Sequence, residues 1–268
     1  MGLFFNKKKD VTVSPIVTRL CFEVANLQGQ GKRENQEDAF CVANVFDEIK
    51  MKEQGLLFAV CDGMGGLNNG REAADTAIDI IRKDFKRMDR KADISKQLRQ
   101  SLKVCSDAIF DKYRTTSGST GIVGVIFDNK LHFASVGDSF LLLKRNNDII
   151  RLNEAHNLGN RIYEDCIAED NWNPFLSRNN SQNASLTAYL GMESLNRIDS
   201  TVRPIKLIPG DVLLACSDGV GAFVDENELK DLLQPSDAVE SSRKIEQILT
   251  EKDNANQDNY TAIVICVR

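Results

Sequence analysis

The chain has 268 residues, of which 42% are hydrophobic and 27% are charged, as is ordinary for a soluble globular protein. Its 34 basic and 39 acidic residues give a net charge of −5, which argues against a nucleic-acid partner because such proteins present a basic surface. The 7 cysteines form no Cys-x-x-Cys pair, and the 2 histidines are too few for a histidine-rich zinc site. We therefore interpret the cysteines as core residues in a reducing, cytoplasmic compartment, and no apolar run is long enough for a transmembrane segment.

Short apolar runs that end at polar turns predict β-strands. These strands cover residues 17–27, 38–46, 56–61, 120–127, 131–136, 140–144, 149–152, 201–207, 211–216 and 260–267. Apolar residues at helical spacing predict helices over residues 71–88, 94–109, 225–233 and 237–250, with Ser236 as the N-cap of the last. Strands, then helices, then strands again indicate a single α+β domain over residues 1–268.

Two segments are predicted to lack regular structure. Residues 1–12 are expected to form a flexible tail, as chain termini commonly do. Residues 153–183 are rich in asparagine and show neither a helical nor a strand period. Loops of this length are usually functional or mobile, so we expect a flap-like loop there.

Five aspartates stand at the ends of predicted strands. Asp62, Asp138 and Asp218 each follow an apolar run, whereas Asp38 and Asp258 come just before one. Any one of them is an ordinary turn residue, because Asp-Gly commonly follows a strand. Together they indicate carboxylates that converge at one edge of a sheet. Such all-oxygen clusters suit Mg²⁺ and Mn²⁺, and two of these ions side by side are a standard device for phosphate-ester displacement.

The order and spacing of several motifs resemble a known family, the metal-dependent protein phosphatases of the PPM family, which are the type 2C serine/threonine phosphatases. The matching segments are Gly31–Asp38, Val60–Gly66, Ser117–Thr120, Ala134–Ser139, Leu186–Gly191, Cys216–Gly219 and Gln257–Thr261. The resemblance covers nearly the whole chain from about residue 20. With methionine at position 64, the chain resembles the bacterial branch of the family. It implies an α-β-β-α sandwich of two antiparallel sheets flanked by helices, with the metals at one end.

The resemblance also implies the ligands of a two-metal site for Mn²⁺ or Mg²⁺. Asp62 matches the carboxylate that bridges the two ions, and the backbone carbonyl of Gly63 matches a further ligand. Asp38 matches a ligand of one ion. Asp218 and Asp258 match ligands of the other ion.

Three more residues have counterparts in the family. Glu37 matches an acid that acts on the metals through a water molecule. Arg33 matches the guanidinium that binds the substrate phosphate, a role that suits the planar donor fork of arginine. Asp138 matches a ligand of a weaker third metal ion.

The chain departs from the family pattern at several positions. Met64 stands where eukaryotic members usually carry histidine, so the leaving group must take its proton from water or from another residue. Phe140 replaces an arginine that is common after Gly-Asp-Ser. Ala222 stands where many members have an acid, which counts against a third metal. Residues 153–183 correspond to the variable flap beside the active site.

The resemblance implies that the protein hydrolyses phosphoserine and phosphothreonine in proteins by means of a metal-bridged hydroxide. Phosphorylated proteins are then its substrates, and a cognate serine/threonine kinase is its natural partner. Two alternatives stay open: a catalytically inactive relative that binds partners through the same fold, and a small-molecule phosphatase with the same site chemistry. The four principal aspartates and Arg33 are all present, which favours an active enzyme over an inactive relative.

Overall fold

The structure, a computed structural model, describes residues 20–65, 69–169 and 182–268, and within them the strands form two large antiparallel sheets and one short ladder. The first sheet contains, in spatial order, β1 (Phe22–Gly29), β13 (Tyr260–Val267), β12 (Val212–Cys216), β8 (Phe140–Arg145) and β9 (Asp148–Arg151). The second contains β10 (Asp199–Ser200), β7 (Lys130–Val136), β6 (Gly121–Phe127), β3 (Leu56–Cys61) and β2 (Ala39–Ala43), and β11 (Ile205–Lys206) also pairs with β7. The short ladder joins β4 (Gly63–Met64) to β5 (Gly118–Ser119).

Helices cover the outer faces of both large sheets. In chain order they are α1 (Glu48–Gln54), α2 (Gly70–Arg87), α3 (Ile94–Tyr113), α4 (Leu158–Ala168), α5 (Asp218–Gly221), α6 (Glu226–Leu232) and α7 (Ala238–Lys252), and a 3₁₀ turn, Arg114–Thr116, follows α3. The α2 and α3 helices pack on the second sheet, and α6 and α7 pack on the first. The predicted α-β-β-α sandwich is therefore confirmed. Among the described residues, no helix is both long and apolar enough to cross a membrane.

The packing of β3 shows why its sequence is apolar without a break. Phe58 and Val60 face the first sheet, whereas Ala59 and Cys61 face α2 and α3. Because successive side chains of a strand point to opposite faces, a strand that is covered on both sides needs apolar residues at every position. Alternate residues of β12 and β13 divide in the same way between the space separating the sheets and the underside of α6 and α7.

The predicted loop over residues 153–183 is wrong in part, because α4 occupies residues 158–168. The helix begins at Asn157, whose side chain accepts a hydrogen bond from the backbone N–H of Asn160. Leu158, Ile162 and Cys166 stand at helical spacing, but this apolar stripe is short and none of the helix residues is buried. The tail over residues 1–12 lies outside the described residues.

Several element boundaries also differ from the prediction. The N-cap of α7 is Asp237, whose carboxylate accepts from the N–H of Glu240, and the prediction of Ser236 is wrong. The strand predicted over 38–46 ends at Ala43, because Asn44 has a φ of 71° and leaves the extended conformation. The strand predicted over 201–207 contracts to the two residues of β11. Residues 17–19 of the first predicted strand lie outside the described part of the chain.

Candidate active site

The strand-end aspartates meet at one end of the sandwich, around an open cavity of about 610 Å³. Asp62 follows β3, Asp138 lies between β7 and β8, Asp218 is the first residue of α5, and Asp258 comes just before β13. Four of the five strand-end aspartates therefore line one polar cavity between the two sheets. Its lining comprises Lys32, Arg33, Glu34, Asn35, Glu37, Asp62, Gly63, Met64, Gly65, Thr120, Asp138, Ala184, Leu186, Asp218, Asp258 and Asn259.

Asp38 lies beneath this cavity and is fully buried. Its Oδ2 accepts a hydrogen bond of 2.8 Å from the hydroxyl of Ser217. Its Oδ1 is buried and has no hydrogen-bond partner in the described part of the chain. Burial raises the pKa of this carboxyl to about 6, although hydrogen bonds from Thr261 and Ser217 oppose the shift. A buried carboxylate oxygen without a donor is costly unless a cation approaches it.

Asp62 and Asp218 show the same electrostatic conflict. Burial raises the pKa of Asp62 well above its ordinary value, and the charges of Asp38, Asp218 and Asp258 raise it further. The pKa of Asp218 is raised by burial and by the charge of Asp258. The Oδ1 atom of Asp218 is buried and finds no hydrogen-bond partner among the described residues. Mutually repelling carboxylates with unused oxygens are a donor set that fits a hard divalent cation.

The carboxylates surround the cavity without converging on a single point. In the described residues, no group of three or more His, Cys, Asp or Glu side chains is arranged as it stands to hold a metal ion. The guanidinium of Arg33 contacts the carboxylate of Asp258 at this rim. Binding of a cation by these acids therefore requires side-chain adjustment, and Arg33 must give up its contact with Asp258.

The backbone at Gly63 is packed so closely that no other residue fits. A Cβ atom there would lie 2.2 Å from the carbonyl oxygen of Gly70 and 2.6 Å from that of Glu37. Gly63 also pairs with Ser119 in the short β4–β5 ladder. The turn that carries Asp62 is thus fixed from both sides, and the glycine predicted as a carbonyl ligand lies on the cavity wall.

Glu37 and Arg33 lie on the turn between β1 and β2. Burial raises the pKa of Glu37, and the neighbouring Arg33 charge opposes that shift. The Arg33 side chain is 60% exposed, which leaves its guanidinium accessible from the cavity. The backbone N–H of Glu37 donates to Oδ1 of Asn259 at 2.8 Å.

Asp138 lines the cavity from the turn between β7 and β8. Burial raises its pKa to about 6, and the charge of Asp218 adds to the shift. Ala222 ends α5 and supplies no acid next to it. Met64 lines the cavity, as its position in the motif predicted.

Three polar residues hold the acids in place, and the sequence reasoning gave them no role. The hydroxyl of Ser217 binds Asp38. Thr120 Oγ1 accepts from the N–H of Asp62 at 3.1 Å, and its own N–H donates to the carbonyl of Asp62 at 2.8 Å. The side chain of Asn259 forms hydrogen bonds with backbone groups of the turn between β1 and β2. Ser217 and Asn259 each stand beside an acid in a matched motif, whereas the matched motif that contains Thr120 has no acid.

Comparison with known proteins agrees with this geometry. Residues 22–161, more than half of the chain, match the family described as protein phosphatase 2C. A serine/threonine phosphatase called stp from Listeria welshimeri is 25% identical over 225 residues, which cover 80% of this chain and 85% of the relative.

Solved structures show the same fold. The PPM Ser-Thr phosphatase MsPP from Mycobacterium smegmatis, in complex with cacodylate, superposes with a TM-score of 0.71 at 26% identity and covers 91% of this chain and 97% of its own. The catalytic domain of the serine/threonine protein phosphatase PstP, in complex with two manganese ions, gives a TM-score of 0.71 at 21% identity, with 93% and 99% covered. The relatives from Listeria and Mycobacterium are bacterial, as the resemblance implied. The chain belongs to the protein phosphatase 2C family and is an enzyme of the protein phosphatase class.

Proposed function

We propose that this protein hydrolyses phosphoserine and phosphothreonine monoesters in proteins at the cavity lined by the aspartates. The observation that carries the proposal is the pair of buried, unpartnered oxygens, Oδ1 of Asp38 and Oδ1 of Asp218, beneath an open cavity that also presents Arg33. Such oxygens are suited to bind a cation, and a cation beside an accessible guanidinium forms a binding site for a phosphate ester.

The proposed ligands are the carboxylates of Asp38, Asp62, Asp218 and Asp258 and the backbone carbonyl of Gly63. Divalent ions, when bound, supply acidified water as the nucleophile and neutralise charge on the phosphoryl oxygens. An all-oxygen donor set favours Mn²⁺ or Mg²⁺ over zinc. The two manganese ions of the structurally similar PstP domain support two ions here.

The proposal also includes a third ion, with Asp138 as a ligand. The raised pKa of Asp138 and its place on the cavity wall support a role as ligand. The absence of an acid at Ala222 predicts that this ion binds more weakly than the other two.

Residues of the chain itself bind and orient the substrate. The donor fork of Arg33 matches two phosphoryl oxygens, and the exposed guanidinium is positioned to exchange Asp258 for a phosphate. Glu37 lies beside Arg33 and orders water at this rim. Met64 has no transferable proton, so the leaving alkoxide takes its proton from water or from another residue.

The test is phosphate release from a phosphothreonine peptide in the presence of Mn²⁺. We expect release from phosphothreonine and phosphoserine peptides, and much slower release from a phosphotyrosine peptide and from a panel of small phosphate metabolites. Preference for the small metabolites would identify a small-molecule phosphatase. No release from any substrate by folded protein that binds Mn²⁺ would identify an inactive relative that acts by binding. A cytoplasmic location and a cognate kinase stay predictions from the sequence.

A further inference from the structure

Arg151, the last residue of β9, extends a buried guanidinium under the turn that carries Asp138. Its Nη2 donates to the carbonyl oxygen of Asp138 at 2.8 Å and to that of Ser139 at 3.1 Å. Both bonds go to the backbone of the turn, so the guanidinium holds the main chain from which the Asp138 side chain projects. This turn connects the two sheets, since β7 belongs to one and β8 to the other.

The guanidinium lies on the ring of Phe140, with its central carbon 3.9 Å from the ring centroid. The ring itself is wedged against α5, because a Cβ atom on Gly221 would lie only 2.3 Å from it. Stacking on an aromatic face fixes the plane of a guanidinium and so limits the directions in which its N–H groups point. Arg151 therefore reaches the turn from a platform that also supports the helix beginning at Asp218.

Two other side chains, those of Asn153 and Thr120, also hold this turn. Asn153 Nδ2 donates to the Ser139 carbonyl at 2.9 Å. The hydroxyls of Ser139 and Thr120 lie 2.8 Å apart, and Thr120 also accepts the N–H of Asp62. The turn bearing Asp138 is thus tied by a continuous chain of hydrogen bonds to the turn bearing Asp62.

The position of Arg151 is costly for the fold. Burial lowers the pKa of the guanidinium, and its Nε is buried without a hydrogen-bond partner in the described part of the chain. A buried cation with an unsatisfied donor destabilises the fold, because both its charge and its N–H group lose contact with water. An apolar side chain of similar length would avoid both costs. What the cation gains is contact with the Asp138 turn, and its charge also opposes the rise in the pKa of Asp138.

We propose that Arg151 is a positioning residue for the reaction: through the carbonyls of Asp138 and Ser139 it fixes the turn that presents the Asp138 carboxylate to the cavity. The proposal rests on the proposed function, and it concerns how this chain orients one acid. It also gives Phe140 a purpose, since the ring that replaces the family's usual arginine carries the guanidinium that Arg151 supplies from the neighbouring strand.

The test compares Arg151→Met with Asp138→Asn and with the double variant. Loss of a group that orients a metal ligand typically costs about 10- to 100-fold in activity or metal affinity. We expect Arg151→Met to lower kcat by about that factor with KM within about twofold of wild type. The double variant should be no slower than Asp138→Asn alone, because Arg151 acts through Asp138. Calorimetric titration with Mn²⁺ should show that both single variants weaken the same, weakest binding step.

The matched control is Arg145→Met. Arg145 lies at the far end of β8 and pairs with the buried carboxylate of Asp211, so its loss should lower thermal stability while kcat and Mn²⁺ binding are retained. Arg151→Lys, which keeps a donor and the charge, should recover part of kcat and serves as the test variant if Arg151→Met does not fold.

Two results would overturn the inference. One is additive losses in the double variant, and the other is a kcat of Arg151→Met, or of Arg151→Lys in its place, that equals wild type once corrected for folded protein. Failure of the proposed function looks different, because the wild-type protein would then show no phosphate release that depends on Mn²⁺.

Discussion

Asp62 is held in the site against the electrostatic repulsion of its neighbours. Burial and three neighbouring aspartates raise the pKa of its carboxyl. Hydrogen bonds between its backbone and Thr120 prevent Asp62 from moving away from these aspartates. A carboxylate held in this way destabilises the metal-free fold whenever it is ionised. The same repulsion supplies affinity for a cation, because a divalent ion neutralises two charges at once.

Asp62→Asn is predicted to reduce turnover by at least about a hundredfold while the fold is kept, since it removes the proposed bridging ligand. Measurement of kcat with a phosphothreonine peptide at saturating Mn²⁺ checks this. The Glu53→Gln variant, which changes an exposed acid on α1, serves as the control and should retain wild-type turnover. Turnover of Asp62→Asn above about half of wild type would contradict the assignment.

Asp62→Asn is also predicted to raise the thermal stability of the metal-free protein, with a gain that depends on pH. A carboxyl whose folded pKa is raised destabilises the fold as pH increases from its ordinary value of 3.8 through the raised value. The pKa values of Asp38 and Asp138 are raised to about 6, so these two carboxyls are largely protonated at pH 5 and charged at pH 8. The gain in melting temperature should therefore be larger at pH 8.

The measurement is the melting temperature of both proteins in EDTA at several pH values between 5 and 8. A gain of about 1 kcal/mol would appear as a shift of about 2–4 °C for a chain of this size. Buried His156, whose pKa is lowered to about 4, changes stability in the opposite sense over this range. It is present in both proteins, so its effect cancels in the difference. An equal gain at every pH would argue against repulsion as the cause.

Met64→His is predicted to help substrates with poor leaving groups more than substrates with good ones. Met64 lines the cavity but has no proton to give, and a positioned acid contributes about a hundred- to ten-thousandfold to such reactions. The test is the ratio of turnover on a phosphoserine peptide to turnover on para-nitrophenyl phosphate in both proteins at several pH values. An unchanged ratio throughout would mean that position 64 does not address the leaving group.

The element that brings Arg33 to the cavity is the turn between β1 and β2, and Asn259 holds it. The amide of Asn259 donates to the carbonyls of Gln30 and Asn35 at 2.8 and 2.9 Å, and its Oδ1 accepts the N–H of Glu37. The turn is therefore fastened to the start of β13 by one side chain. This explains how an exposed segment places both Arg33, the proposed phosphate-binding residue, and a buried acid.

Asn259→Ala is predicted to destabilise the fold by about 1–3 kcal/mol, because it leaves backbone groups of the turn without partners. It should also raise KM more than it lowers kcat, since Arg33 loses its fixed position. Denaturant unfolding and steady-state kinetics measure the two effects. Asn256→Ala, at an exposed position in the same segment, is the control and should match wild type. An unchanged KM in Asn259→Ala would mean that the position of this turn does not affect substrate binding.

The sequence predicted most of the long elements and missed two helices that bury none of their residues. The bounds of α2 and β13 agree with the prediction to within one residue, because α2 buries an apolar face and β13 is an unbroken apolar run. The missed helices are α1 and α4, and α4 was missed although Leu158, Ile162 and Cys166 stand at helical spacing. The aspartates were found because motif and strand-end position coincide. Ser217 and Asn259 could not be assigned, since their roles depend on which backbone groups the fold brings beside them.

At the scale of the whole molecule, the sandwich brings together at one end acids that are far apart in the chain. Asp38 and Asp62 lie next to strands of the second sheet, whereas Asp218 and Asp258 lie next to strands of the first. The space between the sheets is filled by apolar side chains up to this end, where the acids replace them. The proposed metal site is thus a property of how the two sheets are aligned.

Removal of divalent ions is predicted to abolish activity and to lower the melting temperature. A ligand present at a hundred times its dissociation constant stabilises a folded protein by about 2.7 kcal/mol. Phosphate release and thermal unfolding, each measured in EDTA and after addition of Mn²⁺, test the two effects. The Asp218→Asn variant should show a much smaller thermal shift on addition of Mn²⁺. Full activity in excess EDTA after dialysis would exclude the proposed metal dependence.

The acids of the two sheets have a consequence for how long the protein survives. An ion bound by acids from both sheets would cross-link the sheets at the end where the apolar core stops, and this cross-link would be lost when the ion leaves. Metal-free chains would then open at this end more often and be cut sooner by proteases, because cleavage follows the population of open forms. The supply of Mn²⁺ or Mg²⁺ would set the amount of this enzyme as well as its rate.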